Sequence, residues 1–145
     1  MNYAGHLTGG LITAGIVGGT SFILSGLHPV VGAVCAATTL IMALYPDYDI
    51  ASTPSKQAFI VGIPAVIILA LMHHLNQAIL VLLFISVPKM FPHRGFVHTL
   101  RFGMIASFCW YSIVHPFIHV NLFFMMTAGM VGYLTHLILD RHVKI

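Results

Sequence analysis

The chain has 145 residues, of which 59% are hydrophobic and only 6% carry a formal charge. Soluble domains have roughly a quarter of their residues charged, so this composition argues against a soluble globular domain, a disordered chain and a basic nucleic-acid-binding domain. The mean hydropathy is +0.98, and apolar residues run through the whole sequence. This distribution predicts a polytopic membrane protein whose surface faces lipid.

Six apolar runs follow one another along the chain, separated by polar or proline-containing clusters. They cover residues 7–27, 30–44, 57–72, 77–87, 102–114 and 121–139. Several are shorter than the roughly 20 residues of a perpendicular span, so we expect four to six helices, some of them tilted or crossing only half the membrane. The runs lack the alternation of barrel strands. The sequence therefore predicts an all-α, polytopic membrane helical bundle, with residues 1–145 forming a single domain.

The N-terminal run has no basic segment ahead of it. A cleaved signal peptide normally begins with such a segment, so we expect the first hydrophobic helix to remain in the mature protein.

The cationic residues predict how the bundle is oriented. When six crossings are counted, all the lysines and arginines fall on one side of the membrane: Lys56, Lys89, Arg94, Arg101, Arg141 and Lys144. By the positive-inside rule that side is cytoplasmic. Both termini are on the same side and are therefore expected to be cytoplasmic as well.

The chain contains only three acidic residues, and they lie next to candidate metal ligands. His136 and Asp140 are four residues apart, a spacing that places both side chains on one helix face and suits the ligation of one ion. Asp47 and Asp49 follow a proline and would point the same way in an extended loop. The six-crossing arrangement brings both pairs to the cationic side.

Three histidines complete a set of candidate ligands from four separate segments. The set comprises His6, Asp47, Asp49, His93, His98, His136 and Asp140. Seven donors exceed the three or four of a single catalytic zinc and suit about two divalent transition-metal ions with a bridging carboxylate. Imidazole and carboxylate ligands fit zinc, the leading expectation, and also manganese, iron or nickel. The alternative is that these residues cap helices and bind headgroups, but their convergence on one side disfavours it.

Four motifs that carry these ligands resemble those of a known family. They are Gly5-His6, Pro46-Asp47-Tyr48-Asp49, the segment 93–99 (HRGFVHT) and the segment 132–140 (GYLTHLILD). In this order they resemble the YdjM-like family of LexA-regulated, inner-membrane, metal-dependent hydrolases. That family is in turn thought to be distantly similar to zinc phospholipase C and related single-strand nucleases. The resemblance implies a multi-pass inner-membrane enzyme that hydrolyses a phosphoester with metal-activated water.

The implied chemistry assigns roles to two further residues. Arg94 would be catalytic and would also bind substrate, because its planar guanidinium can hold phosphate oxygens in a bidentate manner. Tyr48, between two candidate ligands, would contact the substrate. The expected partners are the lipid bilayer and a lipid-like or phosphate-ester substrate, with no nucleic acid. Assembly into a homo-oligomer or a larger membrane complex is left open.

Two other functions remain open at this point. The same ligands could form the transit site of a divalent metal or proton transporter, although transport favours acids partway through the bilayer. A non-catalytic membrane subunit could keep the metal for stability alone. The histidines predicted on the opposite side have no acid near them and are interpreted as interfacial helix ends: His28, His73, His74, His115 and His119.

Overall fold

The computed structural model describes residues 3–49, 53–92 and 95–140, with the side chain of Asp49 outside the description. Within these ranges the chain forms six α-helices: α1 (Tyr3–Leu24), α2 (Pro29–Leu44), α3 (Thr53–Leu71), α4 (Leu75–Ser86), α5 (Leu100–Val114) and α6 (Leu122–Leu139). Three short 3₁₀ turns are also present: Tyr45–Asp49 follows α2, and Val87–Met90 and Phe96–His98 lie between α4 and α5. The predicted all-α helical bundle is confirmed, and each predicted apolar run lies largely within one of the six helices.

Four segments are long and apolar enough to span a membrane. They are α1, α2 together with most of the following turn (Pro29–Tyr48), α3 and α6, with lengths of 22, 20, 19 and 18 residues. Helices α4 and α5 have 12 and 15 residues, so they fit a partial or locally thinned crossing. Large apolar side chains on the outside of these helices, such as Ile16 and Ile60, are 65% and 72% exposed. Such a surface is suited to lipid and not to water.

Close helix contacts at small residues hold the centre of the bundle together. Helix α2 packs against both α1 and α6, and α5 also packs against α6. A Cβ atom on Gly132 would lie 2.2 Å from the Thr39 carbonyl oxygen, so only glycine permits this approach of α6 to α2. Without a hydrophobic driving force between helices in lipid, such backbone proximity is a main source of association.

The α3–α4 hairpin is attached to the rest of the bundle through α4, which packs on α5, and through the Tyr45–Asp49 turn. Helix α3 packs against α4 and the Tyr45–Asp49 turn, but within the described residues it makes no extensive contact with α2 or α5. The Tyr45 ring stacks on Phe84 of α4 at 4.1 Å between centroids, and its hydroxyl donates to the Phe84 carbonyl oxygen at 2.8 Å. The turn that follows α2 is thereby anchored between the centre of the bundle and the hairpin.

Candidate metal centre

The C-terminal end of α6 supplies two donors of the candidate centre. His136 and Asp140 are one turn apart, with His136 Nε2 3.6 Å from Asp140 Oδ2. His136 Nδ1 lies 2.9 Å from the Ala43 carbonyl oxygen. A carbonyl oxygen can only accept, so Nδ1 carries the proton and Nε2 presents its lone pair to the carboxylates. This is the usual way in which a second hydrogen bond orients a ligating imidazole.

The turn after α2 brings Asp47 to the same place. Pro46 has a fixed φ that suits the start of a helical turn, and its side chain is fully buried. Together with the anchored Tyr45, it holds the turn so that Asp47 Oδ1 lies 3.6 Å from His136 Nε2. The carboxylate of Asp47 remains partly exposed, with 14% of its side-chain surface accessible.

His98 reaches the centre from the 3₁₀ turn that precedes α5. Its Nε2 lies 4.0 Å from Asp140 Oδ2, and its ring is fully buried. The Tyr133 hydroxyl of α6 donates a hydrogen bond to the carbonyl oxygen of Val97, the neighbour of His98. Gly103 leaves room for the Tyr133 ring, because a Cβ atom there would lie 2.6 Å from it. Tyr133 thus links the turn that carries His98 to the helix that carries His136.

His6 of α1 borders the cluster from a fourth direction. Its Nε2 lies 3.0 Å from Asp140 Oδ1, a hydrogen-bonding distance at which the imidazole donates and the carboxylate accepts. Its ring also stacks on His136, with centroids 4.1 Å apart and planes inclined by 14°. His6 therefore orients both residues that α6 contributes, whether or not it binds an ion itself.

The four donors Asp47, His98, His136 and Asp140 have the spacing of a metal site. Their ligand atoms all lie within 4.8 Å of one another. The pairs at 3.6 and 4.0 Å are too long for hydrogen bonds. Two ligands of a tetrahedral ion with bonds of about 2.1 Å are about 3.4 Å apart, close to these separations. His136 Nε2 is buried and has no hydrogen-bond partner within the described part of the chain. The donor set thus fits a transition-metal ion.

Five of the seven predicted ligands are brought together by the structure: His6, Asp47, His98, His136 and Asp140. Their function as ligands stays a prediction. The side chain of Asp49 and residues His93 and Arg94 lie outside the described residues. Tyr48, the predicted substrate contact, directly follows Asp47 in the turn. The sequence reasoning missed the Ala43 carbonyl, since a backbone group leaves no mark in a sequence.

The histidines at the other end of the bundle lie at helix ends and in turns, as expected. The rings of His115 and His119 lie 5.3 Å apart, and His74 packs edge-on against Phe117. Among the described residues, one group of three or more His, Cys, Asp or Glu side chains has metal-ligand spacing, and it is the cluster of Asp47, His98, His136 and Asp140. A second metal site at that end therefore has no geometric support in the described ranges.

Similarity to known proteins shows which family the chain belongs to. No curated protein and no solved structure matches the chain. One family model, described as YdjM inner membrane protein, matches residues 1–144. The match covers nearly the whole chain, including every segment that contributes to the cluster. The chain therefore belongs to the YdjM inner membrane protein family.

Proposed function

We propose that this inner-membrane protein is a metal-dependent hydrolase that cleaves a phosphoester in a lipid-like substrate at the cytoplasmic interface. One observation carries the proposal: Asp47, His98, His136 and Asp140 converge from three separate segments with the spacing of ligands to one ion. The metal is a divalent transition metal, with zinc preferred and manganese, iron or nickel also compatible with the donors.

The expected number of ions follows from how the candidate ligands divide into two groups. The four-residue group meets the needs of one ion. Asp140 presents Oδ2 to His136 and His98 while its Oδ1 accepts a hydrogen bond from His6 Nε2. The other ring nitrogen of His6, Nδ1, is buried without a hydrogen-bond partner in the described part of the chain, and it is the nitrogen left for a second ion. We therefore expect about two ions, the second held by His6 together with Asp49 or His93.

The chemistry of the proposed reaction depends on both the ion and the chain. A transition-metal ion held by Asp47, His98, His136 and Asp140 would polarise phosphoryl oxygens and would make a water molecule nucleophilic at neutral pH. Burial of His98 and His136 away from water lowers the local dielectric, which strengthens the electrostatic interaction of the site with a charged phosphate. In this proposal Arg94 holds the non-bridging oxygens, and Tyr48 contacts the substrate beside Asp47.

A transporter for metal ions or protons is the alternative function. The described acids, Asp47 and Asp140, lie at the ends of membrane-spanning segments and not near their middles. Asp47 is the last residue but one of the Pro29–Tyr48 segment, and Asp140 directly follows α6. Transit sites of transporters commonly lie near the bilayer midplane, so the position of the cluster favours catalysis. A non-catalytic subunit stabilised by its metal is the remaining alternative.

The test combines elemental analysis with hydrolysis assays on protein purified in detergent. We expect wild-type protein to retain about two transition-metal ions and to release phosphate or a phosphorylated headgroup from mixed-lipid micelles. Asp47→Asn keeps the side-chain shape but weakens a ligand, so metal content and turnover should fall together. His119→Ala, which removes an imidazole outside the cluster, is the matched control and should change neither.

Arg94→Ala separates substrate binding from metal binding. Metal content should remain nearly intact, while turnover falls by about a hundredfold, since a lost charge-assisted contact to the transition state costs about 3 kcal/mol. Wild-type protein that keeps its metal yet hydrolyses no phosphoester in a broad lipid panel would overturn the proposal in favour of a subunit. Metal flux into sealed vesicles that Asp47→Asn abolishes and Arg94→Ala does not affect would indicate a transporter.

A further inference from the structure

A long apolar groove lies between the α3–α4 hairpin and helices α2 and α5. Its volume is about 560 Å³, and its walls include Ile41 of α2, Ala65 and Ile68 of α3, Phe84 of α4 and Trp110 of α5. The groove exists because α3 packs on α4 and on the Tyr45–Asp49 turn without closing against α2 or α5. The lining is almost entirely apolar.

The groove extends deep along a membrane-spanning helix. Both Pro54 and Leu69 of α3 line it, and at about 1.5 Å per residue they are about 22 Å apart along the helix axis. One leaflet of the hydrocarbon core is about 15 Å thick. The lining residues Val61 and Ile68 are 70% and 55% exposed, so the groove opens sideways. A molecule could therefore enter it from within the bilayer.

One end of the groove adjoins the candidate metal centre. Tyr48 and Gln57 line that end and supply its polar groups. Tyr48 follows Asp47 directly in the same turn, and Asp47 belongs to the four-donor cluster. A polar group attached to a molecule in the groove would therefore lie beside the cluster.

We propose that the groove holds one hydrocarbon chain of a phospholipid-like substrate and places its phosphate at the Asp47 end. The inference deepens the proposed function and rests on it for the reaction, but not for lipid binding. The shape supports this occupant, because the groove is about 22 Å long and has a volume of only about 560 Å³, less than a helix of that length would need as a cylinder 10–12 Å wide with its side chains. A helix from a second copy or another protein would not fit without displacing the hairpin.

Filling the groove should affect long-chain substrates selectively. Ala65→Trp places a large ring in the groove, and Val61→Trp does so at a more exposed position where folding is less at risk. Their matched controls, Ala70→Trp and Ile60→Trp, lie on the same helix outside the groove lining. We expect both groove variants to reduce hydrolysis of a phospholipid with 16-carbon chains by about tenfold or more, equivalent to about 1.4 kcal/mol. Hydrolysis of the water-soluble 4-nitrophenyl phosphate should change less than about twofold in all four variants.

A binding experiment tests the groove independently of catalysis. A phospholipid with a diazirine on one acyl chain, at low lipid-to-protein ratio in micelles, should label groove residues of wild-type protein, and an excess of unmodified phospholipid should suppress this labelling. Ala65→Trp should reduce it and Ala70→Trp should not.

The outcomes separate the two proposals. If no phosphoester is hydrolysed but the competed labelling is found, the hydrolase fails and the groove stands as a lipid site. If groove labelling is no stronger than at lipid-facing residues such as Ile60, or is not suppressed by competitor, the inference is overturned. It is also overturned if both groove variants hydrolyse the long-chain lipid at the wild-type rate.

Discussion

Single hydrogen bonds determine how the candidate ligands are presented. The bond between His136 Nδ1 and the Ala43 carbonyl leaves Nε2 for the cluster, and the bond between His6 and Asp140 fixes one oxygen of that carboxylate. Tyr133 positions His98 indirectly, because its hydroxyl donates a hydrogen bond to the turn that carries His98. Ligand orientation therefore depends on groups that are not themselves donors to the ion.

Removing the Tyr133 hydroxyl tests this dependence. We expect Tyr133→Phe to lower the free energy of unfolding by about 1 kcal/mol, a typical value for a hydrogen bond inside a membrane protein. The affinity for metal should fall as well, because the turn that carries His98 is less well held. Thermal unfolding in detergent, followed by circular dichroism, and metal titration would measure the two effects.

Tyr111→Phe is the control for that substitution. Tyr111 lies on α5 and stacks on His115, away from the cluster, so the loss of its hydroxyl should leave metal affinity unchanged. Equal metal affinity in the two variants would contradict a positioning role for Tyr133.

At the scale of helices, the contact between α2 and α6 holds the centre together. Helix α2 leads into the turn with Asp47 and provides the Ala43 carbonyl, while α6 carries His136 and Asp140. The two helices approach most closely where Gly132 meets the Thr39 backbone. A shift of one helix against the other would therefore move Asp47 relative to His136 and Asp140.

Gly132→Ala should force these helices apart. The added methyl group would lie 2.2 Å from a backbone oxygen, and a backbone group cannot rotate away as a flexible side chain can. We expect the free energy of unfolding to fall by about 1–3 kcal/mol, the usual cost of overpacking, together with a loss of bound metal. Unfolding curves and elemental analysis in detergent would show both.

Gly15→Ala provides the comparison, because a Cβ atom at that position of α1 meets nothing within 4 Å. Stability and metal content should remain close to those of wild-type protein. A Gly132→Ala protein as stable as Gly15→Ala would show that the close approach of α2 and α6 is not required.

The whole molecule places its candidate ligands at one end of the bundle. The beginning of α1, the turn after α2, the turn before α5 and the end of α6 meet there, as an even number of crossings predicts. Family membership assigns the chain to the inner membrane. Which end faces the cytoplasm stays a prediction of the positive-inside rule.

Cysteine accessibility would determine the orientation. On a background with Cys35 and Cys109 replaced by alanine, we expect Lys56→Cys and Lys89→Cys to react with a membrane-impermeant maleimide only after permeabilisation. His119→Cys, at the other end, should react in spheroplasts. If Lys56→Cys and Lys89→Cys react from opposite sides of the membrane, the result contradicts the predicted orientation. It also contradicts a candidate metal centre built from segments on one side.

The sequence by itself was enough to predict the all-α class of fold, four to six helices, of which the described residues form six, and the candidate ligands, five of which the structure brings together. These properties are local: apolar runs must become helices in lipid because their backbone groups have no other partners, and acids are rare enough in this chain to stand out. The spacing of His136 and Asp140 placed them one helical turn apart before any packing was known.

Only the tertiary structure decided which donors meet and how they are oriented. The bond from His136 to the Ala43 carbonyl, the contacts of Asp140 with His6 and His98, and the bond from Tyr133 to Val97 all join segments far apart in the chain. The groove beside Tyr48 likewise depends on how the α3–α4 hairpin packs against the rest of the bundle. Such features arise from distances between helices, and these follow from packing at particular small residues, which periodicity and composition do not encode.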